Sequence, residues 1–178
     1  ALTLPRTQAF LDLLTSFGWR DYRPSPLTER DEAAGPLQPL ALANGIAATS
    51  ICRLSEDSSF TSLCLEDRTV EQLVDQLYLQ LLSRSPTSEE KARYVELLSP
   101  GYDQRKTGEQ ATPRIRVRRP TVSWSNHLSP EATTLKLQLE KEVLAGDPPT
   151  VRLTTDWRER LEDMVYVLIN SPEFVWLP

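Results

Sequence analysis

The stretch from Thr69 to Glu90 constrains the fold of this chain more than any other. Val70, Leu73, Val74, Leu77, Tyr78, Leu81 and Leu82 recur at the spacing of one helical face. Thr69 stands three residues before Gln72, the spacing of a capping box, in which side chain and backbone satisfy each other at a helix start. Pro86 follows the end of the run, and Thr87 with Glu90 repeats the capping pattern at once. One helix must therefore stop, and a second begin, within a single turn. Tyr78 is expected to lie on the core with its hydroxyl at the rim. Arg84, near the helix end, should bond the last carbonyls or pair with an acid such as Glu173. All of this is packing and capping chemistry, with no nucleophile, metal cluster or phosphate loop attached.

The rest of the chain adds four helical segments. Phe10, Leu13, Leu14 and Phe17 share a face over about Pro5 to Phe17, and Gly18 suits a left-handed helix stop. Residues 19–38 are polar and proline-rich and read as an irregular connection. A second helix is expected from about Leu37 to Leu54, with Asn44 on its apolar stripe and bonded to the backbone of a neighbouring segment. The fourth helix, opened by Thr87, ends at Ser99, Pro100 and Gly101. Ser129, Pro130 and Glu131 form a good helix start for the fifth, which should run to about Leu144 and stop at Gly146. Asp156 with Glu159 suggests a capping box for the last, whose buried stripe includes Trp157, Leu161, Met164, Val165, Leu168 and Ile169. Asn170, Ser171, Pro172 and Glu173 then turn the chain and deliver Phe174. The expected fold is mainly α: about six helices in a compact bundle forming a single domain over residues 1–178, with a basic extended insertion at about 101–128 between helices four and five.

Composition limits the function classes. A net charge of −5 argues against general nucleic-acid binding, and no apolar run approaches the ~18 residues a membrane span needs. No basic-then-apolar leader opens the chain at Ala1, so no signal peptide is expected within these residues. Cys52 and Cys64 are too far apart in sequence for a zinc knuckle or redox pair, and no second pair completes a metal site. Two readings stand for them: a disulfide, if the protein is exported, or two unrelated thiols, one or both buried.

Four ordered stretches carry a resemblance. They are residues 10–18, residues 40–45, residues 77–90 with Tyr78, Arg84, Pro86 and Thr87, and residues 163–174 with Asn170, Glu173 and Phe174. In this order they resemble the C-terminal domain of the planctomycete cytochrome-associated proteins, a family of unknown function, and residues 123–132 are similar to a subgroup of it. A weaker similarity links the Tyr78–Pro86 and Ser171–Phe174 elements to a helical module of exported and surface-layer proteins. Family members often carry a close cysteine pair after helix one; residues 23–30 here contain none, so no redox or metal role of that pair carries over. The resemblance implies an exported protein, periplasmic or at the cell surface. It also implies that this domain forms the C-terminal part of a longer, redox-associated chain. The sequence has no Cys-x-x-Cys-His, so no haem c attachment, and no other cofactor, is expected here.

Candidate sites are few, and none reads as catalytic or metal-binding. His127, the only histidine, precedes a helix beside Trp124 and Asn126, without a nucleophile elbow or triad pattern. Paired acids such as Glu89 with Glu90 and Glu162 with Asp163 read as solvated helix faces. The best interaction candidate is the run of Arg114, Arg116, Arg118 and Arg119 alternating with Ile115 and Val117, followed by Trp124 and His127. It suits an acidic partner or an acidic glycan; its alternative is a strand clipped to the domain, arginines paired with acidic helices. The expected function is non-catalytic scaffolding or docking, with other domains of the same protein or an envelope protein as partners. Two alternatives are an accessory part of a polysaccharide-acting enzyme outside the cytoplasm, and a cell-envelope attachment module.

Overall fold

A computed structural model describes residues 8–18, 35–44, 46, 50–111, 122 and 124–175. Among them the chain is mainly helical. The helices are α1 (Gln8–Ser16), α2 (Leu37–Ala43), α3 (Ser59–Leu65), α4 (Val70–Leu82), α5 (Ser88–Leu98), α6 (Glu131–Ala145), α7 (Thr155–Ile169) and α8 (Pro172–Val175). The expected count of about six becomes eight among the described residues, because α3 was not foreseen and the final turn closes as a short helix. Their only β pairing is two isolated antiparallel bridges, Ser55 with Pro149 and Lys106 with Leu153. The expected extended arm at Arg114–Arg119 lies outside the described residues. No helix among those described is long and apolar enough to cross a membrane.

The chain divides into two compact units, Ala1–Ile51 with Pro113–Asp147, and Cys52–Thr112 with Pro148–Pro178. In the first, α1 packs on α2 and on α6. Gly18 ends α1 at a φ of 79°, and Gly146 ends α6 at 68°, positions where a side chain would be strained. Helix two is shorter than expected. Asn44 is already extended, at φ −127° and ψ 159°, and its Nδ2 donates to the Leu40 carbonyl of its own helix at 3.0 Å, not to a neighbouring segment. The start of α6 also differs: Pro130 holds the cap position and no side-chain bond closes it, so Ser129 is not the cap.

In the second unit, α4 packs against α3, α5, α7 and α8. Leu73, Val74, Leu77 and Tyr78 of α4 meet Trp157, Leu161, Met164, Val165 and Ile169 of α7 in one buried core. Their full burial is the main stabilising term, each large apolar side chain contributing roughly 1.5–3 kcal/mol before entropy is counted. Both foreseen capping boxes are complete, Thr69 with Gln72 and Thr87 with Glu90. The third is not: α7 starts at Thr155 behind Thr154, without a side-chain cap. Residues 149–154 form a non-helical seam. Thr150 N–H donates to Leu54 O at 2.7 Å, and Thr107 N–H to Arg152 O at 3.0 Å, so the seam ties both flanking loops to the start of α7.

Candidate functional site

The turn between α4 and α5 is organised by one guanidinium. Ser83 stops α4 in the left-handed region at φ 56°, which turns Arg84 away from the helix axis. All five Arg84 N–H donors are then used. Nη1 and Nη2 reach the Glu90 carboxylate at 2.9 and 2.8 Å, Nε and Nη2 reach Glu173, the latter at 2.7 Å, and Nη1 also donates to Ser85 O. Its Cζ lies 5.3 Å from the Tyr78 ring centroid, within cation–π range. Glu90 is engaged twice, since Oε2 also accepts the Thr87 backbone N–H at 2.7 Å. The Arg84 bonds hold the Glu90 carboxyl down at about 2, and the same guanidinium lowers that of Glu173. Burial pushes the Tyr78 phenol up, so it stays protonated. Phe174, from the same short helix as Glu173, packs against the core. Tyr78, Arg84, Thr87, Glu173 and Phe174 are thus brought together, as the sequence suggested. Asn170 serves its own helix, donating from Nδ2 to Tyr166 O at 2.9 Å. Sequence reasoning did not foresee the Arg84–Glu90 pair; the capping role hid it.

A second guanidinium was missed entirely. Arg105 is buried and donates to three backbone carbonyls, those of Cys64, Tyr102 and Glu66, at 2.8, 2.9 and 2.9 Å. Two of these are at the C-terminal end of α3, where carbonyls lack helical partners and a cation is favoured. Its Cζ lies 3.9 Å from the Tyr102 ring centroid. Tyr102 in turn meets Trp157 edge-on and donates to Arg68 O. Glu56 is similar in kind, accepting from Thr150 Oγ1, Val151 N–H and Arg152 Nε. Glu162, read from sequence as a solvated acid, accepts the Leu54 N–H at 2.8 Å instead. These groups carry structural bonds.

Cys52 and Cys64 are both buried with free thiols. Of the two readings the sequence left open, the structure holds the unbridged one. Burial pushes each thiol up to about 12, far from the thiolate that nucleophilic or metal chemistry requires.

Two concavities are prominent. A polar hollow of about 530 Å³ is lined by Glu66, Asp67, Arg68, Gln72, Asp75 and Gln76. Three of its acids are ion-paired: Asp67 with Lys106, Asp75 with Lys91, Glu66 with Arg68. A more apolar groove of about 480 Å³ runs between α1 and α2, with Leu13, Leu40, Ile46 and Leu144 in its lining. His127 lines neither.

His127 belongs to the turns that lead into α6. Its ring stacks on Trp124, with centroids 4.8 Å apart and planes 22° apart. Its Nδ1 faces the Trp124 carbonyl oxygen at 2.6 Å; a carbonyl only accepts, so Nδ1 carries the proton. Ser129 N–H donates to Asn126 O, closing the turn beneath them. Trp124 is 88% exposed and Leu128 87%. Arg114, Arg116, Arg118 and Arg119, the other members of the candidate binding set, lie outside the described residues. The chain matches no protein-family model, no curated protein and no solved structure.

Proposed function

We propose that this chain is a non-catalytic docking domain of an exported multidomain bacterial protein, and that residues 111–130 carry its binding surface. The observation that carries the reading is the exposed Trp124, stacked on the His127 ring. Rigid exposed aromatics supply contact area at small entropic cost, which is why they concentrate at interfaces. Charge supports it as well. Residues 111–130 contain four arginines and no acid, in a chain whose net charge is −5. A local basic segment on an acidic protein favours an acidic partner. The lowered carboxylates of Glu90 and Glu173, by contrast, both sit on Arg84 and hold helices together. The resemblance to the C-terminal domain of cytochrome-associated proteins supports export and placement in a longer, redox-associated protein.

The test is capture from an envelope extract with the wild-type chain and with Arg116, Arg118 and Arg119 changed together to Ala. The reading expects the triple variant to lose the species that the wild type retains, while its circular dichroism is unchanged. Equal capture by both would remove the basic segment from the account.

A further inference from the structure

We infer that α6 carries a self-association surface, on which a second copy of this chain packs its own α6 in parallel. Helix α6 has apolar residues on two opposite sides. Ala132 is buried and Leu135, Leu139 and Val143 are half-buried, all on one side at helical spacing. Leu137 and Leu144 stand on the other side, two turns apart, 66% and 48% exposed. A surface helix normally confines its apolar residues to the stripe it buries, so a second stripe calls for a second partner. Leu144 also joins the apolar groove between α1 and α2, where Leu37 and Leu40 are exposed as well, so the surface extends beyond one helix. Charge selects the occupant. Glu140 and Lys141 flank the line from Leu137 to Leu144, one on each side of it. When two copies of α6 pack in parallel about a twofold axis along the helices, Leu137 and Leu144 each meet their own counterpart. The twofold then brings the Glu140 flank of each copy beside the Lys141 flank of the other, so opposite charges meet on both edges. An antiparallel pair would set Glu140 beside Glu140 and Lys141 beside Lys141. The face is thus complementary to itself in one direction, on a chain whose net charge of −5 disfavours association of copies at unbalanced faces. Glu140 already interacts within its own chain; a carboxylate accepts several bonds and can take Lys141 of the second copy in addition. The contact is small against the roughly 1,200–2,000 Å² of a stable interface, so the association is weak and concentration-dependent.

Sedimentation velocity of the intact chain, from about 1 to about 500 µM, tests this. The sedimentation coefficient should rise with concentration towards that of a dimer. Leu137→Asp should weaken the dimer about tenfold or more. Lys141→Glu should weaken it about tenfold, because it sets acid beside acid on both edges. Combining Lys141→Glu with Glu140→Lys exchanges the two flanks and should restore most of the association. Leu137 and Lys141 are exposed, and a thermal melt at low concentration confirms the fold of each variant. A chain that stays monomeric throughout overturns the proposal. So does a dimer indifferent to either single substitution, or a folded double variant that associates no better than Lys141→Glu alone. A monomeric chain that captures a protein from extract, and loses it on Leu137→Asp, would assign this face to another partner and equally overturn the second copy.

Discussion

Arg84 and Glu173 meet across 89 residues of chain through paired hydrogen bonds, Nη2 to Oε2 at 2.7 Å and Nε to Oε1. The pair fastens α8 to the turn between α4 and α5. Isolated surface pairs contribute little, but here a rigid bidentate fork joins two carboxylates at once and both side chains are more than half covered. Replacing Arg84 by Ala is expected to lower stability by about 1–2 kcal/mol in urea titration. A double-mutant cycle of Arg84→Ala with Glu173→Gln should show effects that are not additive, whereas strictly additive effects would mean the contact contributes nothing.

Acid should act through the same turn. The Glu90 carboxyl is held at about 2 in the folded protein, against an ordinary value of 4.5, so the folded state binds its proton less readily than the unfolded chain does. Its contribution is therefore complete above about pH 4.5 and is lost as pH falls towards 2. Glu90→Gln removes that titration. The urea midpoint of the variant should fall less steeply between those two pH values than that of the wild type. Parallel curves would contradict the role given to Glu90.

Arg105 should be the most sensitive charged residue in the second unit. Truncation to Ala leaves the carbonyls of Cys64 and Glu66 without their Arg105 donor, and Tyr102 O with only the Arg105 backbone N–H. A loss of about 3 kcal/mol is expected. Arg105→Lys should recover only part of it, because an ammonium cannot reproduce the planar fork. Recovery of full stability by Lys would show that charge alone suffices.

The thiols of Cys52 and Cys64 should be silent in the native protein. Both are buried and pushed up to about 12, so alkylation by iodoacetamide at pH 8 should be slow until denaturant is added, after which both react. Intact mass should not change by two hydrogens on reduction. A two-hydrogen increase would mean that a bridge had formed.

These residues also show where sequence is legible. The capping boxes at Thr69 and Thr87 were readable because both partners lie within one turn, and the Arg84–Glu173 pair because the motif placed a cation at a helix end. Helix α3 was not, since Ser59–Leu65 combines Ser, Thr and Cys, weak helix formers, and is completed by an arginine 41 residues beyond Cys64. Arg105 itself stands in a polar turn and looks like any solvated base; only the fold brings three carbonyls to it. Glu162 likewise reads as half of an acidic pair until the Leu54 N–H arrives from 108 residues away. The Asp156 capping box failed because its spacing also suits an ordinary first turn, which α7 begins at Thr155. Of the candidate binding surface, sequence revealed the residue types at Trp124 and His127 but not their stacking, which needs the turn.

The central claim is a division of labour: the distinctive Tyr78–Glu90 turn builds the fold, and residues 111–130 do the binding. The direct measurement pairs urea stability with capture from envelope extract for two variants, Arg84→Ala and Trp124→Ala, both assayed where each remains folded. The account predicts that Arg84→Ala loses stability and keeps capture, while Trp124→Ala keeps stability and loses capture. Loss of capture by Arg84→Ala together with normal capture by Trp124→Ala would contradict it.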